Sequence, residues 1–154
     1  MRTVRSRSTD DTLRLGEEIG SGLQGGELIL LRGDIGAGKT VLARGILQGL
    51  GSARFRGSPT FTLVHEYDTQ PAAYHVDLYR LSDAGIEDVG LSDYLEPSSI
   101  MIVEWPERAE GYVRALAIGG IVEVDLEITG PEERVIHIVR SPVQQVGVPS
   151  SVEP

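Results

Sequence analysis

Gly33-Asp34-Ile35-Gly36-Ala37-Gly38-Lys39-Thr40 is the stretch whose reading decides the fold. It follows an apolar run, Leu28-Ile29-Leu30-Leu31, and opens a segment with Val41, Leu42, Ile46, Leu47 and Leu50 at helical spacing. The pattern is G-x-x-x-x-G-K-[ST] between a strand and a helix, the context in which it binds phosphate. Successive backbone N–H groups must converge on phosphate oxygens, and side chains would obstruct that approach, so glycines recur. The N-terminus of the following helix adds unpaired N–H groups and a partial positive charge. Lys39 is then the cation for the β- and γ-phosphates of a nucleoside triphosphate, and Thr40 the hydroxyl for Mg2+. Gly33, Asp34, Gly36, Ala37, Gly38, Lys39, Thr40 and Val41 make up the expected nucleotide-contacting set. Lys39 is also the only lysine among 14 basic residues, at a position where a compact ammonium suits the chemistry better than a planar guanidinium.

Working outward, Thr9-Asp10-Asp11 supplies capping side chains for a first helix from about Asp10 to Leu23, stopped by Gly25-Gly26. After the phosphate loop a helix runs to about Leu50, bracketed by Gly49 and Gly51. Phe61–Tyr67 and Ala73–Tyr79 read as an antiparallel hairpin around Asp68-Thr69-Gln70-Pro71. Ser82–Pro97 offers helix-forming pieces broken by Gly85, Gly90 and Pro97. Ile100-Met101-Ile102-Val103 is apolar without alternation, as in a strand buried on both faces. Ile121–Ile128 alternates, with Val122, Val124, Leu126 and Ile128 inward, and a turn at Gly130–Glu133 leads to a partner strand, Arg134–Arg140. Residues 1–8 read as a flexible arm, 9–140 as one domain, and 141–154 as a disordered tail. The fold class is α/β: a mainly parallel central sheet flanked by helices, with an antiparallel hairpin.

A phosphate loop needs a carboxylate for the metal and a group to orient the attacking nucleophile. Asp77 and Glu104 each end an apolar strand, and in open α/β sheets ligands bind outside the carboxyl ends of strands. Both are candidate catalytic acids, with Glu104 favoured for the metal because its strand reads as the central one. The residues alone leave that division of labour open. Ser58 and Thr60 flank Pro59 in a loop suited to sensing a γ-phosphate. His65 and His75 lie within strands, lack ligand spacing to each other and read as packed rather than metal-bound. Trp105, the single tryptophan, follows Glu104 and reads as core packing or as a wall of the site.

Composition narrows the function. A chain of 154 residues with 40% hydrophobic and 24% charged residues is that of a globular domain, which buries about two-thirds of its unfolded surface. No apolar run approaches the ~18 residues of a membrane span, and no signal-peptide core follows the N-terminal arginines, so the expected address is cytoplasmic, with no membrane partner. The absence of cysteine excludes disulfides and thiolate chemistry. The net charge of −9 and the acid-rich span from Ser82 to Glu133 repel a phosphate backbone, so contact with nucleic acid is expected to be indirect.

Several blocks occur in one order: TLRLG (Thr12–Gly16), GDIGAGKT (Gly33–Thr40), SPTFTLVHEY (Ser58–Tyr67), HVDLYRL (His75–Leu81) and IVEWPER (Ile102–Arg108). Together they resemble the TsaE (YjeE) family of small bacterial P-loop ATPases, over roughly Thr9 to Arg140. The resemblance implies ATP and Mg2+ as cofactors, and a role with TsaB and TsaD in placing a threonylcarbamoyl group on the adenosine beside the anticodon of certain tRNAs. It implies Gly36–Thr40 for phosphates, Thr40 with Glu104 for Mg2+, and Asp77 as the second functional acid. Ser58 and Thr60 match the switch hydroxyls, and Trp105 the site-adjacent tryptophan. Ile35 stands where leucine is usual.

Three other readings compete. A small-molecule kinase usually adds an Arg-rich lid, for which few residues remain. A GTP-driven switch uses Asn-Lys-x-Asp for guanine, and the only lysine is already in the phosphate loop. An inert domain would have a degenerate loop. A slow ATPase stimulated by its partners is the reading kept.

Overall fold

The apolar run ahead of the phosphate loop forms a strand with Leu28, Ile29, Leu30 and Leu31 all fully buried, in the middle of a seven-stranded sheet. A computed structural model of the chain describes residues 1–59, 62–81 and 85–142. In chain order the elements are β1 (Arg2–Ser6), α1 (Thr9–Ser21), β2 (Leu28–Arg32), α2 (Lys39–Gly49), β3 (Val64–Tyr67), β4 (Ala72–Asp77), β5 (Ser99–Glu104), α3 (Glu110–Ala115), β6 (Ile121–Ile128) and β7 (Arg134–Ser141). Short 3-10 turns at Glu87–Val89, Leu91–Asp93 and Pro106–Ala109 fill the connections on either side of β5.

The sheet order is β1-β7-β6-β2-β5-β4-β3. The four central strands β6, β2, β5 and β4 are parallel, while β3, β7 and β1 add antiparallel pairs at the two ends. This is the mixed α/β fold with a largely parallel centre that the apolar runs predict. A parallel strand must be covered on both faces, which is why β2 and β5 carry no polar alternation. One face packs Ile29, Leu31, Ile100 and Ile102 against Leu15, Ile19, Leu42 and Ile46 of α1 and α2. The other packs Leu28, Leu30, Met101 and Val103 against Leu78, Leu91, Leu95 and Val113, from loops, a 3-10 turn and α3.

Four details differ from the sequence reading. Residues 2–6, expected as part of a flexible arm, form β1 on the edge of the sheet, in register with β7 from Arg2↔Ile138 to Ser6↔Arg134. An edge strand has one ladder and one packed face, so a polar segment with Val4 against the core suffices. Ser8, not Thr9, caps α1: its Oγ accepts from Asp11 N–H at 3.0 Å, and an Asp11 carboxylate oxygen accepts from Arg7 N–H at 3.0 Å. The hairpin strands are shorter than expected, because β3 starts at Val64 and β4 stops at Asp77. Ile128 is 46% exposed, because it is the last residue of β6 and lies beyond the part of the strand, Val122, Val124 and Leu126, that joins the core. Thr60, Phe61 and the tail from 143 onward lie outside the described residues.

The two long helices touch backbone to backbone. A Cβ built on Gly16 of α1 would stand 2.6 Å from Leu42 O and 2.8 Å from Gly45 Cα of α2. Gly20, Gly45 and Gly49 are equally closed by the facing helix, and each helix repeats glycine at a spacing of four. That spacing lines the glycines along one stripe of each helix. Gly16→Ala should therefore destabilise the fold by about 1–3 kcal/mol through overpacking. Gly111→Ala, in α3 with open space around it, should be neutral or slightly stabilising. Thermal melts of the two variants check this, and equal melting temperatures would refute the backbone contact.

Candidate nucleotide site

The phosphate loop leaves the carboxyl end of β2 and enters α2 at Lys39. Gly38 is the N-cap, at φ +102°, a left-handed conformation that residues with a Cβ adopt at a cost. It brings no capping side chain, so the first N–H groups of α2 keep no side-chain partner at the loop.

The register across three parallel strands sets the acids beside this loop. Leu31 of β2 is opposite Glu104 of β5, and Glu104 is opposite Asp77 of β4. Both strands end at these acids, so the two carboxylates stand side by side at the carboxyl edge, almost fully buried. Thr40 Oγ1 donates to Glu104 Oε1 at 2.9 Å, and His75 Nε2 lies in hydrogen-bonding distance of Glu104 Oε2, at 2.6 Å. Ser58 Oγ donates to Asp77 Oδ2 at 2.8 Å, while Tyr79 N–H donates to Asp77 Oδ1 at 2.9 Å.

Lys39 is 5% exposed. Its ammonium donates to the carbonyls of Gly33 and Asp34 and lies 4.1 Å above the Trp105 ring. Burial pushes the lysine below its ordinary pKa, and the carboxylates of Glu104, Glu107, Asp77 and Asp34 pull the other way. Trp105 holds this position through a left-handed backbone, φ +57°, rare for a bulky residue and a mark of local strain. The turn it makes directly after β5 carries the indole back over the loop, with Tyr79 packed on it at 4.9 Å.

Of the residues singled out from sequence, Gly36, Gly38, Lys39, Thr40, Val41, Ser58, Asp77, Glu104 and Trp105 line one cleft of about 450 Å³. Gly33 and Asp34 lie on its flank, beside Trp105, Glu107 and Ile128. Ala37 is buried under the loop and reaches a second hollow of about 260 Å³ on the loop's other side. Thr60 falls outside the described residues, and Arg80, the arginine of the HVDLYRL block, is exposed.

Sequence reasoning missed Arg134. Its guanidinium donates to Ala37 O at 3.1 Å and Gly36 O at 2.9 Å, so the first residue of β7 holds the back of the phosphate loop. The second hollow lies between this arginine and Ser8, Thr9 and Thr12 at the head of α1. No local signal connects residues almost a hundred positions apart. Tyr79 was also missed, although the HVDLYRL block contained it.

A glycine loop at the end of a central parallel strand, its lysine and threonine at the head of a helix, and acids ending the neighbouring strands define a P-loop NTPase-like α/β protein. The crystal structure of Bacillus subtilis YdiB is similar over 92% of this chain and 85% of that one, with a TM-score of 0.72 and 26% identity. The family model described as "Threonylcarbamoyl adenosine biosynthesis protein TsaE" matches residues 6–136, and the chain belongs to that family. A Treponema pallidum protein named "tRNA threonylcarbamoyladenosine biosynthesis protein TsaE" is 35% identical over 136 residues, 84% of this chain and 98% of that protein. The proteins of that name from Haemophilus influenzae and Bacillus subtilis are 48% and 43% identical over 86 residues each. In those two the match spans about half of the relative's length, 54% in each case. Among the described residues no helix is long and apolar enough to cross a membrane.

Because Lys39 sits on the face of the only tryptophan, removing its charge should be visible optically. Lys39→Met is expected to change Trp105 emission while leaving the circular dichroism spectrum unaltered. Superimposable emission spectra would contradict the stacked geometry.

Proposed function

We propose that the chain binds and hydrolyses ATP with Mg2+, as the nucleotide-driven component of the machinery that makes threonylcarbamoyladenosine in tRNA. It works in the cytoplasm on partners resembling TsaB and TsaD. The observation that carries the reading is the Thr40–Glu104 hydrogen bond at the head of α2, with Asp77 and Ser58 directly beside it. A threonine hydroxyl and one carboxylate, completed by phosphate oxygens and water, suit Mg2+, which rarely takes an all-protein cage. Bound there, Mg2+ would neutralise charge on the β- and γ-phosphate oxygens.

The chain's own residues supply the rest. Lys39, with its desolvated ammonium, binds β- and γ-phosphate oxygens, exchanging its carbonyl partners for charged ones. Asp77, fixed by Ser58 and the Tyr79 N–H, orients the attacking water. With its terminal phosphate on the side of the acids, a nucleotide would extend its nucleoside end across the loop, where the second hollow opens between Arg134 and the head of α1. The net charge of −9 speaks against direct tRNA binding by this chain.

Glu104→Gln and Asp77→Asn should fold and bind ATP but hydrolyse it poorly, by roughly 100-fold or more in kcat. Lys39→Ala should weaken ATP binding by at least ~10-fold, since charge-assisted hydrogen bonds contribute roughly 1.5–3 kcal/mol. Calorimetry with ATP and a phosphate-release assay measure both, and wild-type turnover in the two acid variants would remove these residues from the mechanism.

Among the described residues no arginine lines the cleft; Arg134 reaches the loop from behind, and Arg108 lies over the Tyr79 ring at 5.6 Å. Transition-state charge neutralisation by an arginine is worth about 10³–10⁵ in rate where it occurs. Turnover should accordingly be slow for the isolated chain and rise when the partner pair is added. Brisk turnover alone, unchanged by partners, would make the chain a self-sufficient enzyme.

A further inference from the structure

We infer that His75 is a positioning residue for Glu104, holding its carboxylate in the one orientation that presents Oε1 to Thr40. The inference rests on the proposed role of Glu104, and deepens it. His75 lies in β4 two residues before Asp77, on the same sheet face as the acids. Its side chain is fully buried, and Nε2 is 2.6 Å from Glu104 Oε2. The other carboxylate oxygen accepts from Thr40, so the two donors fix the carboxylate plane from opposite ends.

The ring's remaining nitrogen decides how this works. Nδ1 is buried without a hydrogen-bond partner among the described residues. A tautomer protonated at Nδ1 would bury an unpaired N–H and turn a lone pair onto a carboxylate. The Nε2–H tautomer leaves only a bare acceptor at Nδ1 and donates where the charge is. If packing were the sole role of this position, an apolar side chain would fill it with no orphaned nitrogen at all. The ring plane is held in turn by Phe55, stacked at 6.1 Å and 29°. Phe55 sits in the 51–59 connection that also carries Ser58 on Asp77. His75 thus ties the acid at the end of β5 to the loop serving the acid at the end of β4. Partners behind a metal-site ligand set its orientation, and their loss typically costs roughly 10–100-fold in affinity or activity.

Two amide substitutions separate positioning from packing. The His75→Gln amide nitrogen falls near the imidazole Nε2 and retains a donor to Glu104, whereas the His75→Asn amide nitrogen falls near Nδ1 and does not. His75→Asn should lower kcat roughly 10–100-fold and raise the Mg2+ concentration for half-maximal turnover, with KM for ATP unchanged. His75→Gln should recover most of both. Equal losses in the two variants would assign His75 to the core. A second measurement needs no turnover. Long-range 1H–15N spectra of the nucleotide-free wild type, with three histidines to assign, should show His75 as the Nε2–H tautomer. An Nδ1–H tautomer would overturn the inference whatever the kinetics, and a wild type without ATPase activity would overturn the proposed function while the spectrum still decides His75.

Discussion

The constraint on which the site depends is the register of three parallel strands, in which Leu31, Glu104 and Asp77 stand at one level. Side chains alternate between faces with a period of two, so a slip of one residue would turn both acids to the opposite face. It would also turn Ile102 and His75 away from α2. The register is held because both faces of β2 and β5 are buried, and each face has its own complementary layer. A strand covered on both sides cannot shift without exposing apolar residues from one layer and crowding the other. The phosphate loop then emerges from β2 at the height of the acids.

At that edge the chain buries three charged groups, Lys39, Asp77 and Glu104, each no more than 5% exposed. Isolated burial of such charges would be prohibitive, so each is met by fixed partners. Among the described residues Glu104 meets Thr40 and His75, Asp77 accepts from Ser58 and the Tyr79 N–H, and the ammonium has two carbonyls and an indole face. A site whose dipoles are already oriented needs little rearrangement to accept a charged ligand. The left-handed backbone at Trp105 belongs to the same arrangement. It stores strain at the one point where the strand must turn sharply to bring an aromatic ring over the lysine.

The two sides of the sheet are built differently. On one, α1 and α2 lock through facing glycines with no side chain between them, and Arg134 fastens the loop that feeds α2. On the other, short 3-10 turns and the six-residue α3 carry the cover. The rigid side positions the lysine and threonine. The acids' partners Ser58 and Tyr79 come from connections without regular structure.

Much of this was legible from the chain. The phosphate loop lies in a contiguous stretch, the apolar runs of β2 and β5 follow from burial on both faces, and Asp77 and Glu104 are marked by ending such runs. These are local signals, written in periodicity and in the residue types that a backbone conformation requires. The edge strand β1 was not legible, because a polar pentapeptide becomes a strand only when β7 offers it a ladder. Nor was the exposure of Ile128, which depends on how far along β6 the core extends. The hold of Arg134 on Gly36 and Ala37, the buried His75–Glu104 pair and the indole over Lys39 join residues distant in sequence. The sequence by itself determined which chemical groups the site contains and which strands carry them. Only the tertiary structure decided which groups touch, because a hydrogen bond of a few ångströms is a property of packing and register, and no single segment encodes it.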